Sequence, residues 1–227
     1  MLENVKKQVY ELLDKDSSGH GSDHIDRVLK LSLKFAQTEN NVNKDVLALI
    51  ALLHDVDDHK LFGKEYSENL INAKEIMHKA NVPNEVQNEV LSSLKCIGYS
   101  KLLDGFRPTS IEGKIVSDAD MCDALGVVGI LRVYKYNLKH EKPFFDRNIF
   151  PIEDMTAGEY AEKGSATAVC HMFEKILKLK GLMMTNSGKE EANERHKIVV
   201  NILHHLFKEE DVPEWEDYLN KYLSDKN

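Results

Sequence analysis

The run Val46-Leu-Ala-Leu-Ile-Ala-Leu-Leu53 ends in His54-Asp55, followed by Val56-Asp57-Asp58-His59-Lys60. An uninterrupted apolar run belongs in a core, so the imidazole and carboxylate that close it stand where burial is costly. A buried charge is tolerated when it is paired or bound to a metal. Two further groups complete a candidate ligand set: His24 in Gly21-Ser-Asp-His-Ile-Asp-Arg27 and Asp118 in Ile115-Val-Ser-Asp-Ala-Asp120. Two imidazoles and two carboxylates suit a divalent cation with open coordination positions.

The apolar pattern around this set has a helical period. Leu2, Val5, Val9, Leu12 and Leu13 mark one face of an opening helix, which Ser17-Ser-Gly-His-Gly21 breaks. Ser22 or Asp23 can cap a second helix carrying Ile25, Val28, Leu29, Leu31, Leu33 and Phe35, and Asn40-Asn41 ends it. Asn43 can cap a third helix that runs through Leu53 toward His54. Residues 64–80 and 84–97 read as two more, divided by Asn81-Val-Pro83; 99–110 reads as a loop with Gly105 and Pro108. Helices follow over 111–123 and 125–138. The stretch 139–160, with Pro143, Pro151 and Gly158, reads as a long irregular connection of the kind that often carries function. Residues 163–183, 188–208 and 213–224 close the chain as helices. No strand-like alternation is evident. The expected architecture is all-α: a single domain over residues 1–227, with about 140–227 as a helical C-terminal subdomain.

The composition narrows the partners. With a formal net charge of -8, the chain is not expected to bind nucleic acid polymers or anionic membranes through broad electrostatics. A small phosphorylated substrate is compatible with that charge, because a bound cation dominates its local field. No apolar run is long enough to cross a membrane, and the N-terminal residues lack the apolar segment of a signal peptide. Cys96, Cys122 and Cys170 form no CxxC pair and sit in apolar helical context, so reduced core thiols and a cytoplasmic location are expected.

Imidazole and carboxylate suit Mn, Fe, Co, Ni, Zn or Mg. Four protein ligands on a six-coordinate ion leave two positions, one for water and one for a substrate oxygen. A cation so held acidifies water and polarises a phosphoryl oxygen. Neighbouring residues diverge by about 100° around a helix, so an ion bound by His54 and Asp55 lies near the helix end. Each residue also has a plainer role: Asp118 as a cap or salt-bridge partner, His24 as an ordinary histidine. The ordered combination carries the argument.

His24, His54-Asp55 and Asp118 resemble the H…HD…D pattern of the HD-domain metal-dependent phosphohydrolases. Asp23-His-Ile-Asp-Arg-Val28, Ala51-Leu-Leu-His-Asp-Val56 and Lys114-Ile-Val-Ser-Asp-Ala-Asp-Met-Cys-Asp-Ala-Leu-Gly126 look like a small bacterial subfamily with nucleotide-hydrolysing members. His171-Met-Phe-Glu-Lys-Ile-Leu-Lys-Leu-Lys180, Met183-Met-Thr185 and Glu194-Arg-His196 extend the likeness over most of the chain. The resemblance implies an HD-domain helical bundle with His24, His54, Asp55 and Asp118 as metal ligands. It further implies hydrolysis of a nucleotide or other small phosphorylated metabolite by attack of water on phosphorus. No extra histidine set of the two-metal kind is evident, so one divalent ion per chain is expected. Met121-Cys122 departs from the Arg-Leu usual in the subfamily. An arginine that could serve the substrate is therefore absent there.

Asp58 stands where some relatives carry an acidic residue that orients or activates water; its other reading is an exposed carboxylate after a helix. An anionic substrate also needs cationic or N–H partners. His20, in the glycine-rich turn, and Lys60 are candidates. So are His171, Lys175 and Lys178, whose spacing puts them on one helix face, either as a phosphate contact or as a solvated basic stripe. Arg27 and Asp123 are read as orienting the ligands or forming an ion pair beside them. Two other functions stay open: cyclic-nucleotide phosphodiesterase, and a non-catalytic nucleotide-sensing module with a metal.

Overall fold

A computed structural model describes residues 1–14, 21–152, 155, 156, 158, 159 and 164–225. The chain divides into two compact units: 1–123 with 183–189, and 124–182 with 190–227. The first boundary falls at Asp123–Ala124. Among the described residues there are thirteen α-helices, one 3₁₀ helix and no strand. No described helix is long and apolar enough to cross a membrane. The three cysteines are free thiols; Cys122 and Cys170 are buried and Cys96 is half-buried.

The first unit holds α1 (Leu2–Leu13), α2 (Ser22–Phe35), α3 (Lys44–Leu53), α4 (His59–Phe62), α5 (Lys64–Asn69), α6 (Ile71–Lys79), α7 (Asn84–Leu94), α8 (Tyr99–Leu103) and α9 (Ile111–Asp123). Helix α3 lies at its centre, packed on α1, α2, α7 and α9. Every residue from Val46 to Leu53 is buried. Full burial of one such aliphatic side chain stabilises by about 1.5–3 kcal/mol, so this run anchors the unit. Asn43 caps it, its side chain accepting from the amides of Asp45 and Val46 at 3.1 and 3.3 Å. The Asn43 amide itself donates to Glu112 Oε1 of α9 at 2.8 Å, tying the start of α3 to the helix beside it.

The expected helix over 64–80 is two helices. Leu70 adopts the left-handed conformation (φ 52°, ψ 51°), an uncommon one for a side chain of its size. Its side chain is buried, and Asp57 offsets the break by accepting from the amides of Asn72 and Ala73 at 2.8 and 2.9 Å. A partner distant in sequence thus restarts the helix, which explains why no glycine or proline marks the interruption. Short helices also occupy 59–62 and 99–103, the latter inside the stretch expected to be a loop.

The second unit holds α10 (Gly126–Lys139), α11 (Ala168–Glu174), a 3₁₀ helix (Ile176–Leu182), α13 (Pro213–Asp225) and the greater part of α12 (Asn186–Glu209). Its core is aromatic: Trp215, Phe173 and Phe207 are fully buried. Phe150 of the long connection stacks on Trp215 with centroids 4.4 Å apart, and Trp215 Nε1 donates to Arg147 O at 3.0 Å. Ile152 donates its amide to Glu174 of α11 at 2.9 Å. The described part of the connection is therefore held by its own contacts.

The expected helix over 163–183 is interrupted. Thr167 caps α11, which ends at Glu174; Lys175 leaves helical geometry (φ −132°, ψ −59°) and the chain continues as a 3₁₀ helix. A 3₁₀ turn aligns residues three apart, so Ile176 and Leu179 go into the core together. The shared α-helical face expected for His171, Lys175 and Lys178 is consequently broken.

Candidate metal centre

His24 lies in the first turn of α2 and is fully buried. His54 follows the last residue of α3, still in helical geometry (φ −63°, ψ −26°), so its ring leaves the apolar helix at its C-terminal end. Asp55 comes next, and Asp120 reaches the same point from α9. His24 Nε2 and His54 Nε2 are 3.1 Å apart. Asp55 Oδ2 is 3.3 and 3.6 Å from these two nitrogens, and Asp120 Oδ1 is 3.5 and 3.8 Å from them.

The far side of each ring decides what its Nε2 offers. His24 Nδ1 lies 2.7 Å from Asp123 Oδ2, so it donates to a buried carboxylate. His54 Nδ1 lies 2.9 Å from the carbonyl oxygen of Ala51, so it donates too. In the neutral rings both Nε2 atoms are then acceptors. Two lone pairs and two carboxylate oxygens converge, and such a set repels itself until positive charge sits among them. Metal–nitrogen bonds of about 2.0–2.1 Å put neighbouring donors on one ion about 3–3.5 Å apart, close to the spacings found here. The donor set fits a divalent cation. Burial pushes the Asp120 carboxyl up, but positive charge in the cluster, supplied by His24 and His54 when these rings are protonated, outweighs it and holds the group below its ordinary value.

Behind His24, Asp123 is itself neutralised. Arg27 Nε donates to Asp123 Oδ1 at 2.7 Å and Nη2 to Oδ2 at 3.1 Å, while Nη1 donates to Asp23 Oδ2 at 2.7 Å. Carboxylate–imidazole pairing of this kind fixes the tautomer and orientation of a metal-binding ring.

Asp118, expected among the ligands, is not in this group. Residues two apart on a helix point about 200° apart, so Asp118 and Asp120 face nearly opposite ways. Asp118 is buried and accepts from the Met184 amide at 2.9 and 3.0 Å, the Thr185 amide at 2.7 Å and Thr185 Oγ1 at 2.7 Å. It pins residues 183–189 at the start of α12. A Cβ at Gly188 would stand 2.3 Å from Asp118 Oδ2, so glycine is required there. A signal for Asp120 was present in the chain: Asp120 and Asp123 are three apart and share a face, and Asp123 was already read as a residue that orients a ligand.

The other expected residues fall as follows. Asp58 is the N-cap of α4, its Oδ1 accepting from the Lys60 amide at 2.8 Å. Lys60 is exposed in that helix. His171 Nδ1 lies 3.1 Å from Ser165 Oγ, which also donates to Glu174. Lys175 and Lys178 are half-buried and, with His171, belong to the second unit. His20 lies outside the described residues.

Comparison with known proteins agrees with this geometry. The model of the HD domain family matches residues 21–125, a span that contains all four converging groups. A Lactobacillus plantarum protein of known structure is 30% identical, with 95% of this chain and 97% of that one covered and a TM-score of 0.78. An HD-superfamily hydrolase from Bacillus thuringiensis is 30% identical over 93% of this chain and 97% of its own, with a TM-score of 0.69. The uncharacterized protein YpgQ of Bacillus subtilis is 29% identical over 224 residues, 93% of each chain. Its crystal structure in complex with ADP superposes with a TM-score of 0.67, covering 95% of this chain and 100% of that one, at 24% identity in the structural alignment. Converging imidazole and carboxylate donors, a matching domain model and similarity along nearly the whole chain lead to one conclusion: the protein belongs to the HD superfamily of metal-dependent hydrolases.

Proposed function

We propose that this chain is a phosphohydrolase that cleaves a phosphate bond of a nucleotide or another small phosphorylated metabolite. In this reading His24, His54, Asp55 and Asp120 together hold one divalent cation. The observation that carries it is the meeting of four acceptors, two imidazole and two carboxylate, with both histidines committed as donors on their far sides. The nucleotide class is supported by YpgQ, which was crystallised in complex with ADP.

A divalent ion held there supplies Lewis acidity, lowering the pKa of water and drawing charge from a phosphoryl oxygen. The chain's own residues do the rest. Asp123 and Arg27 keep the His24 ring turned inward. Asp55 and Asp120 bring two negative charges that offset the cation. Asp58 is the candidate proton acceptor: capping α4 occupies Oδ1, and Oδ2 is the oxygen assigned to the proton. Lys60, in the same unit as the metal position, is the candidate cationic partner for the phosphates.

The test is an assay of metal-free protein reconstituted with Mn, Ni, Co, Fe, Mg or Zn against nucleoside mono-, di- and triphosphates and cyclic nucleotides, with the products identified. Hydrolysis that needs a divalent ion and disappears in Asp120→Ala is expected. No turnover of any member of the panel, or turnover undiminished in Asp120→Ala, overturns the reading.

A further inference from the structure

In the second unit, Glu194-Arg195-His196 of α12 borders a groove of about 360 Å³. Lys180 from the 3₁₀ helix lines it, with Glu190, Asn193, Glu194, His196 and Lys197 from α12. His196 is only 7% exposed and hydrogen-bonds to no described residue. A neutral imidazole carries one donor and one acceptor, and here both are met only by what enters the groove. A ligand in the groove would satisfy the ring.

The surrounding charges say which kind of ligand. Glu194 and Lys197 neutralise each other at 2.6 Å, and Glu190 is an exposed residue of the lining. Lys180 acts directly on the ring. Burial first, and then the Lys180 charge, hold His196 down at about 4, so it is neutral at physiological pH. A cation entering here meets the Lys180 ammonium. An anion meets that ammonium, an imidazole N–H and the Asn193 amide, three donors of the kind that bind phosphate oxygens.

We propose that Lys180, Asn193 and His196 form a phosphate-binding subsite that takes inorganic phosphate or the phosphate end of a nucleotide. It uses none of the residues that face the metal position and does not depend on the function proposed above.

The experiment follows the His196 ring by NMR in full-length, chelator-treated protein, with the resonance assigned by its loss in His196→Gln. Inorganic phosphate is titrated to about 20 mM, a range that covers millimolar binding, against chloride at matched ionic strength. ADP forms a parallel arm. The expected result is a saturable phosphate-dependent shift that chloride does not produce. Because an anion favours the charged ring, the His196 pKa should rise from about 4 by about one unit, which tightens binding of a given anion charge state about twofold by pH 5. Lys180→Gln, at a half-buried position, should weaken it about tenfold or more. A response to ADP alone identifies a nucleotide phosphate as the ligand; a response to both identifies the free anion as sufficient. A resonance that moves with neither, or moves equally in Lys180→Gln, overturns the subsite. The protein is metal-free and the probe local, so that failure leaves the hydrolase assignment intact.

Discussion

The two units are built on different cores. The first is aliphatic: Val46–Leu53 is wholly buried, and among the described residues Phe35 is its one fully buried Phe, Tyr or Trp ring. The second gathers Phe173 and Phe207 around the Trp215 indole, with Tyr222 edge-on against Phe173. Small branched residues let α2, α3 and α9 pack side by side, so polar groups at the end of α3 and on α9 meet His24. A large indole instead fills space that would otherwise be void, and it holds loop segments such as Arg147–Phe150 on its ring and its N–H. The aliphatic unit thus positions chemistry, whereas the aromatic unit fastens irregular chain.

The sharpest way to break this contrast is to empty each core. Trp215→Ala is expected to cost about 3–5 kcal/mol and to release the 145–152 stretch, measured by chemical denaturation and by hydrogen exchange of those amides. Leu49→Ala should cost about 2–5 kcal/mol with exchange at 145–152 close to wild type. Equal loosening of 145–152 in both variants would mean that the two cores melt as one.

A second test separates positioning from fastening within α9. Asp120→Asn is expected to lose bound metal, with a fall in affinity of at least about 100-fold and little change in melting temperature. Asp118→Asn is expected to keep the metal and lower stability by about 1–3 kcal/mol, because it weakens a buried acceptor of three donors. Metal titration and thermal melts on both variants give the answer; loss of metal in Asp118→Asn alone would restore Asp118 as a ligand.

A smaller effect is expected one step behind the ligands. Asp123→Asn disturbs the partner of His24 Nδ1 and should reduce metal affinity about 10–100-fold. Calorimetric titration with the metal alone reads it, and wild-type affinity would show that the aliphatic packing by itself orients the ring.

The smallest effect is in pH. His196 is held at about 4 in the folded protein and titrates near 6.5 when unfolded. Between these values the unfolded chain binds more protons, so stability is intact above about pH 6.5 and falls as the pH drops toward 4. The expected loss is of order 1–2 kcal/mol, since the ring borders an open groove. His196→Gln should flatten that part of the profile, measured by thermal melts from pH 7.5 to pH 4.

Much of the helical pattern was legible in the chain. Apolar spacing marks α1, α2 and α3, Asn43 caps where a cap was expected, and His54-Asp55 announces a polar point at the end of a buried run. Breaks without a local signal were not legible. Leu70 turns left-handed because Asp57, distant in sequence, captures the next amides; Lys175 leaves the helix as Ile176 and Leu179 enter an aromatic core.

By itself, then, the sequence determined an all-α chain of the HD type and singled out His24, His54 and Asp55, which the fold brings together. Helical periodicity and the cost of burying polar groups act locally and along the chain. Only the tertiary structure set Asp118 and Asp120 apart. Both sit in one Ser-Asp-Ala-Asp run with equal local propensities, and the choice depends on which face of α9 meets α2 and α3. With that face set, Asp120 meets the imidazoles, while Asp118 is left to accept the amides that begin α12.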